Sequence, residues 1–444
     1  MTSSLTELER EAVAVLASND RATHIAPAPS HYSQQWLWDS AYCAIGLAHV
    51  NPPRAAKEIV SLLTGQWSNG MVPHMVEHGR PGAKGLDLGR WLWKADRSAS
   101  APRGVRTSGI TQPPVLAEAV DRVSAALAAH EAHEFLRHCV PRLCRYHEWF
   151  YRERDPHYEG LVCTVHPWET GMDNAPPWMA ILAERTQSLL AHIAASRPLR
   201  AAIGGLRPDT KTIDPGERTD LIDGLRSIDL LLELRRRRYT YGDLIHTDLP
   251  CVQDVAVNAI LIRNNAILRR LAASIEHPLP TWLIERMATA SHSLGVLWDA
   301  TASMFLSRDA RSGRLLGPPT VAGLLALYAG NLTPSHRDAL LNQLDDGRAF
   351  RAPYPAPSVP LDSSDFHELR YWSGPTWMNI NWHLIDGLER FGQPTRAEAL
   401  KHRTLDMVAR SGMHEYFSAL DGRGLGFDSY SWTAALTLDL VCRS

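Results

Sequence analysis

The chain is predicted to be all-α, a double ring of paired helices whose long loops gather over one face. Three observations lead there. Polar and apolar residues seldom alternate with the period of a strand. About a dozen to fourteen windows instead carry apolar residues at helical spacing. The connections between these windows are alternately short and long, and helix pairs joined in that way close most naturally into two concentric rings, inner helices shielded by outer ones.

Ser4 caps a first helix over residues 4 to 17, with acids in its opening turn. After a Pro/Ala/Ser loop at 25 to 30, Gln35-Trp36-Leu37-Trp38-Asp39-Ser40 leads into an apolar helix over 41 to 50, closed by Asn51-Pro52-Pro53. Asp39 therefore falls at a helix start, where the dipole favours a carboxylate and an N-cap role would account for it. An amphipathic helix over 54 to 66 runs into Trp67-Ser68-Asn69-Gly70-Met71-Val72-Pro73-His74, where Asn-Gly and Pro mark a turn. Residues 79 to 108 are rich in Gly, Arg, Ser and Pro without periodicity, which suits a lid or binding loop inserted in the domain. Helices follow at 114 to 129, with prolines in its first turn, and at 131 to 151.

The segment His166-Pro-Trp-Glu-Thr-Gly-Met-Asp-Asn-Ala-Pro-Pro-Trp178 then packs two acids and two indoles into a non-helical stretch. Helices are expected at 179 to 196 and, after a polar connection at 199 to 217, at 219 to 237, which ends in four arginines. At a helix C-terminus such a run complements the dipole more often than it binds nucleic acid. Further helices are expected up to 275 from the Leu249-Pro250 opening, at 280 to 300, 320 to 329 and 335 to 345, from Trp377 to Phe391, at 395 to 411 and at 431 to 441. Two aromatic or glycine-rich loops interrupt the last part, Arg370 to Trp377 and His414 to Gly426.

Composition narrows the function. With 444 residues, 45% hydrophobic and 21% charged, the chain can build a large core, and one domain over 1–444 accommodates all the helix pairs. A net charge of -2 and a pI of 6.9 leave no global pull toward nucleic acid or anionic membrane. The cysteines at 43, 139, 144, 163, 251 and 442 lack zinc-site spacing and are expected to be free and buried. The N-terminus lacks signal-peptide character and no run reaches about 18 apolar residues, so a cytoplasmic protein is expected. A homo-oligomer stays open.

Tryptophan is in excess, 14 against 8 phenylalanines. The aromatic loops offer Asp39, Glu169, Asp173 and Glu415 as acids, among the rings of Trp36, Trp38, Trp67, Trp168, Trp178, Tyr371, Trp372, Trp377 and Tyr416. Carboxylates among indoles suit a sugar, whose C–H faces stack on rings and whose hydroxyls need acceptors. No histidine pair has zinc-protease spacing, so no metal is expected, and His74, His166 and His414 read as hydrogen-bonding loop residues. Gly422-x-Gly424-x-Gly426 follows no predicted strand and no nucleophile elbow is present, so no cofactor is expected either. Glycoside hydrolysis needs two carboxyl groups only, one kept protonated and one ionised.

These motifs carry a resemblance. Trp36-Leu37-Trp38-Asp39, Gln66-Trp67-Ser68-Asn69-Gly70-Met71-Val72-Pro73-His74, Thr107 to Pro114, Trp168 to Asn174, Tyr371 to Trp377 and Ser431-Trp432-Thr433-Ala434-Ala435 together resemble glycoside hydrolase family 63, in the manner of the bacterial glucosylglycerate and mannosylglycerate hydrolases. The resemblance runs in collinear order from about residue 30 to 441. It implies an (α/α)6 barrel and an inverting mechanism on a small α-glucoside or α-mannoside, with glucosylglycerate-like substrates first. Asp173 would be the general acid, with Glu169 its rival, and Glu415 the general base. Trp36, Trp38, Asp39, Gln66, Trp67, His74, Gln112, Trp168, Glu169, Tyr371, Trp372, Trp377 and Trp432 would serve the substrate subsite.

The departures bear on the aglycone. Ser373 stands where those relatives tend to have Arg, Ala175-Pro176-Pro177 where they have Ser-Pro-Arg, and Leu86 to Gly89 where they have Tyr-Phe-Pro-Gly. Lost arginines and tyrosines loosen an implied grip on a glycerate carboxylate, for which Arg218, Arg90 or Arg103 could substitute. A neutral disaccharide or natural-product glycoside, a sugar-binding toroid without turnover, and an epimerase or isomerase using paired histidines are the alternatives.

Overall fold

The computed structural model describes residues 2–28, 31–78, 92–185, 196 and 213–443, and these are mostly helical. In chain order the helices are α1 (Thr2–Ser18), α2 (Leu37–Leu47), α3 (Pro52–Leu63), α4 (Leu116–Ala126), α5 (Ala129–Glu153), α6 (Pro176–Glu184), α7 (Leu221–Arg236), α8 (Val255–Ser274), α9 (Thr281–Ser293), α10 (Val321–Leu324), α11 (Ala326–Ala329), α12 (Pro334–Asp345), α13 (Met378–Arg390), α14 (Pro394–Ser411) and α15 (Ser431–Cys442). The helix expected at 280 to 300 stops at Ser293, and Trp298 pairs instead with Phe305 across a two-residue ladder. The expected helix to 196 ends at Glu184, and residues 186–195 fall outside the described set, as do 79–91 of the expected lid.

Packing follows a closed succession: α2 packs on α4, α4 on α8, α8 on α11, α11 on α13, α13 on α15, and α15 on α2 again. Each of several members carries a second helix on its outside: α3 on α2, α5 on α4, α9 on α8, α14 on α13 and α1 on α15. The sequence explains which helix goes where. Every residue of α2 is buried, as are Ser431–Leu440 of α15, as expected for helices covered on all sides, whereas α3 buries only Ala55, Glu58, Ile59, Leu62 and Leu63 on one stripe. Asn51 caps α3 and Asp254 caps α8 through their side chains. One large core results, with a small separate cluster of Trp178, Val252 and Leu316 beside it.

Short antiparallel strands tie the loops at the N-terminal ends of these helices. Gln35–Trp36, Met75–Glu77 and Arg106–Thr107 form a three-stranded sheet, and Tyr416–Phe417 pairs with Gly424–Leu425. At two or three residues each they are too short to display an alternating pattern. The six cysteines are free; five are buried, but Cys442 at the end of α15 is exposed, contrary to expectation, because the chain there runs out of the packed interior. No described helix is long and apolar enough to cross a membrane.

Candidate active site

The aromatic loops meet over a cavity of about 550 Å³. Its floor is built from helix starts: Trp38 and Asp39 in the first turn of α2, Gln112 just before α4 and Trp432 in the first turn of α15. One wall is an aromatic belt in which Tyr32, Trp36, His74, Trp93 and Trp168 follow one another at ring separations of 4.7 to 6.2 Å. The other carries Asp173, Arg218, Tyr371 and Tyr430, and the first two turns of α7 complete the lining.

Local sequence explains how Asp173 is held. Gly171, at φ 71°, lets the chain turn where a Cβ would come within 2.4 Å of the Trp38 ring. Asn174 then ties the loop to its neighbour: its carbonyl oxygen accepts from Trp372 N at 2.8 Å and its amide donates to Ser373 Oγ at 3.2 Å. Tyr371 adopts φ 34°, sparsely populated for a non-glycine residue, with its N–H donating to the Glu217 carbonyl. His166 Nδ1 accepts from Trp168 N, so its Nε2–H donates to the Ser227 carbonyl at 2.9 Å. Burial keeps that imidazole neutral, its pKa lowered to about 4.

The carboxyl groups differ sharply in their partners. Glu415 is buried, and its Oε2 accepts from Arg218 Nη1 at 3.1 Å and Phe427 N at 3.4 Å. Oε1 takes one long hydrogen bond, 3.4 Å from the Tyr371 hydroxyl. Burial raises its pKa, opposed by Arg218 and the Phe427 N–H. Gly426 permits the approach, since a Cβ there would sit 2.6 Å from Oε2. Asp173 opens partly to the cavity and receives no hydrogen bond among the described residues. Its depth in the protein pushes the carboxyl up to about 7, with Arg218 opposing and Glu415 reinforcing. Asp39, buried, is raised to about 8 by burial and by Glu415, while the Tyr430 hydroxyl donates to it at 3.4 Å.

Ten of the residues expected at the site line the cavity: Trp36, Trp38, Asp39, His74, Gln112, Trp168, Asp173, Arg218, Tyr371 and Trp432. Glu415 lies directly behind Arg218 and Tyr371. Five others do not face the cavity. Glu169 is buried in a two-pronged ion pair with Arg154 (2.7 and 2.8 Å) and accepts from Val165 N, which consumes its oxygens in anchoring the loop. Gln66 spans Gly70 O and Arg142 O, and Trp67 is buried with its indole N–H on Thr107 Oγ1. Trp372 and Trp377 stack on each other at 3.7 Å behind Trp38 and Tyr371. Trp178 belongs to a separate small cluster with Val252 and Leu316. Of the arginines considered for an anionic aglycone, Arg103 is exposed and away from the cavity, and Arg90 is outside the described residues.

Tyr32, Leu92, Trp93, Tyr430 and the first turns of α7 line the cavity without having been anticipated. Tyr430 adjoins the Ser431-Trp432 motif and could have been read from it. Nothing local distinguishes the α7 residues from an ordinary amphipathic helix.

A helical protein whose floor and walls present indoles and unevenly paired carboxyl groups around one cavity is built for carbohydrate. The family model for the mannosylglycerate hydrolase MGH1-like glycoside hydrolase domain matches residues 32–433. The chain is 36% identical to a mannosylglycerate hydrolase of Thermus thermophilus, over 96% of this chain and 99% of the other. It is 32% identical to a glucosylglycerate hydrolase of Mycolicibacterium hassiacum, over 98% and 97%. The crystal structure of a GH63 mannosylglycerate hydrolase from Thermus thermophilus, in complex with Tris and D-glycerate, superimposes with a TM-score of 0.85 at 34% identity, covering 97% of this chain and 99% of that one. A yeast neutral trehalase, at 15% identity and TM-score 0.57, shares the fold. The chain belongs to the MGH1-like glycoside hydrolase family, of the GH63 type, and is a glycoside hydrolase.

Proposed function

We propose that the protein is an inverting α-glycosidase of the cytoplasm, a single-domain (α/α)6 toroid that hydrolyses small α-glucosides or α-mannosides, with Asp173 as general acid and Glu415 as general base. The closed succession of helix pairs supports the toroid, and the named activities of the relatives place glycerate glycosides first among substrates to try. One observation supports the mechanism: Asp173, which receives no hydrogen bond among the described residues, is raised to about 7, so that a large share of it carries a proton near neutral pH, while Glu415 keeps a guanidinium partner that favours its ionised form.

In this reading the sugar lies on the floor, with Trp38 and Trp432 as stacking faces and Asp39 and Gln112 meeting hydroxyls. A protonated Asp39 both donates and accepts. Asp173 protonates the leaving oxygen. Glu415 deprotonates water through Oε1, the oxygen not engaged by Arg218. An inverting pair requires about 6.5–9.5 Å between the carboxyl groups, so that a water fits.

Asp39 is the second reading for the proton donor, because it too is raised. Leaving-group rescue separates the two. Asp173→Asn and Glu415→Gln are each expected to lower kcat at least 10³-fold on an alkyl glycoside without unfolding the chain. Only Asp173→Asn should recover on an α-glycosyl fluoride, which needs no proton. Recovery by Asp39→Asn in its place would reassign the acid, and retained anomeric configuration by NMR would overturn inversion.

A further inference from the structure

Three stretches of backbone meet around Glu415, and one residue outside them fastens all three. The Tyr371 hydroxyl reaches Oε1 of Glu415, and the Phe427 N–H reaches Oε2. The Glu415 N–H in turn donates to the Phe427 carbonyl at 2.8 Å. Glu217 holds the groups beside each of these. Its backbone carbonyl accepts from Tyr371 N at 3.1 Å and from the Tyr416 hydroxyl at 2.7 Å, and its Oε2 accepts from Gly426 N at 2.9 Å.

Glu217 is itself fixed. It closes the single turn Pro215–Glu217, which Asp214 caps by accepting from Gly216 N at 2.8 Å. The next residue, Arg218, lays its guanidinium over the Tyr371 ring at 4.3 Å and pairs with Glu415. Any residue at 217 would supply the carbonyl; only the carboxylate is particular to glutamate. The bond it makes lies where small displacements matter. Gly426 and Phe427 present successive N–H groups to two carboxylates, Glu217 and Glu415. A Cβ on Gly426 would stand 2.6 Å from Glu415 Oε2, so the turn is in contact with the base. The Phe427 N–H is already 3.4 Å from Oε2, longer than an ordinary hydrogen bond, and a turn released from Glu217 would move it out of reach. Glu217 is half-buried and is not among the described residues lining the cavity.

We propose that Glu217 is a positioning residue for the general base: its carboxylate holds the Gly426–Phe427 turn against Glu415 and so fixes the direction in which Oε1 meets water. This rests on the reading of Glu415 as base.

Steady-state kinetics of the full-length protein and its variants on an alkyl α-glycoside and an α-glycosyl fluoride test it. Glu217→Ala should lower kcat roughly tenfold with KM within about twofold. The loss should be the same on the fluoride, which dispenses with the proton donor but not with the base. Glu217→Gln keeps an accepting oxygen for Gly426 N and should restore most of the rate. In a Glu415→Gln background, Glu217→Ala should lower the residual rate no further, whereas general loosening of the site would slow both. Should Glu217→Ala fail to fold, Glu217→Asp, whose carboxylate falls one methylene short of Gly426, carries the same expectations. An unchanged kcat, a raised KM with kcat intact, a loss that vanishes on the fluoride, a further loss in the double variant, or a Gln variant as slow as Ala each overturns the assignment. A Glu415→Gln variant as fast as the parent overturns the reading of the base as well; an inactive Glu415→Gln beside a normal Glu217→Ala removes Glu217 alone.

Discussion

Asp173 and Glu169 sit four residues apart in one loop, chemically almost equivalent, and their surroundings drive them to opposite ends of carboxylate behaviour. Glu169 is bracketed by Arg154 and the Val165 N–H; Asp173 faces a cavity with no donor among the described residues. Neither environment is local in sequence, which is why the loop alone offered Glu169 as a sugar contact. The raised Asp173 has a consequence for rate. Because its folded pKa is about 7, Asp173, the proposed general acid, carries its proton below that pH and loses it above. On alkyl glycosides kcat/KM should fall above about pH 7, approaching tenfold per unit. On an α-glycosyl fluoride that limb should vanish. Asp39, Asp173 and Glu415 influence one another, so the limb reports the ionisation of the cluster as a whole. A limb that persists with the fluoride would mean that another group sets it.

At the scale of elements, the aromatic loops are held by buried polar locks. Arg154, at the C-terminal end of α5, is 1% exposed and stacks over Tyr241 while it clamps Glu169. Arg154→Met leaves a buried carboxylate without its partner, which costs about 3–5 kcal/mol, read as a lower midpoint in urea unfolding. Activity should fall as well, since residues 166–178 lose their anchor. A variant as stable as the parent would show that Glu169 simply takes up a proton at no cost. The helices themselves were largely legible, because amphipathic stripes such as that of α3 and stop signals such as Asn51-Pro52-Pro53 act within one element. The two-residue strands were not, since their pairing partners are supplied by distant loops.

At the scale of the molecule, the two ends of the chain meet: α15 packs on both α1 and α2. Gly46 of α2 lies against the α15 backbone so closely that a Cβ would stand 2.4 Å from the Ala435 carbonyl oxygen. Gly46→Ala therefore wedges the seam apart. Overpacking of this kind costs about 1–3 kcal/mol, and differential scanning calorimetry should register a lower Tm. An unchanged Tm would mean that the seam is slack. Closure also brings Asp39, near one end of the chain, to Tyr430 near the other, and so assembles the cavity floor.

What the sequence determined by itself was the alphabet of the molecule: an all-α chain, because apolar periodicity is written within each helix, and a carbohydrate chemistry, because indoles and acids were concentrated in its loops and ordered as in a known family. Tertiary structure decided which of those residues face the cavity. Trp377, Trp372 and Trp67 were as plausible as Trp38, yet they form layers behind the wall, and an ordinary amphipathic helix, α7, became its border. Exposure to a cavity and the pKa of a carboxyl depend on neighbours that arrive from far along the chain; Arg218 and Glu415 are 197 residues apart. Folding sets that proximity, and local pattern carries no record of it.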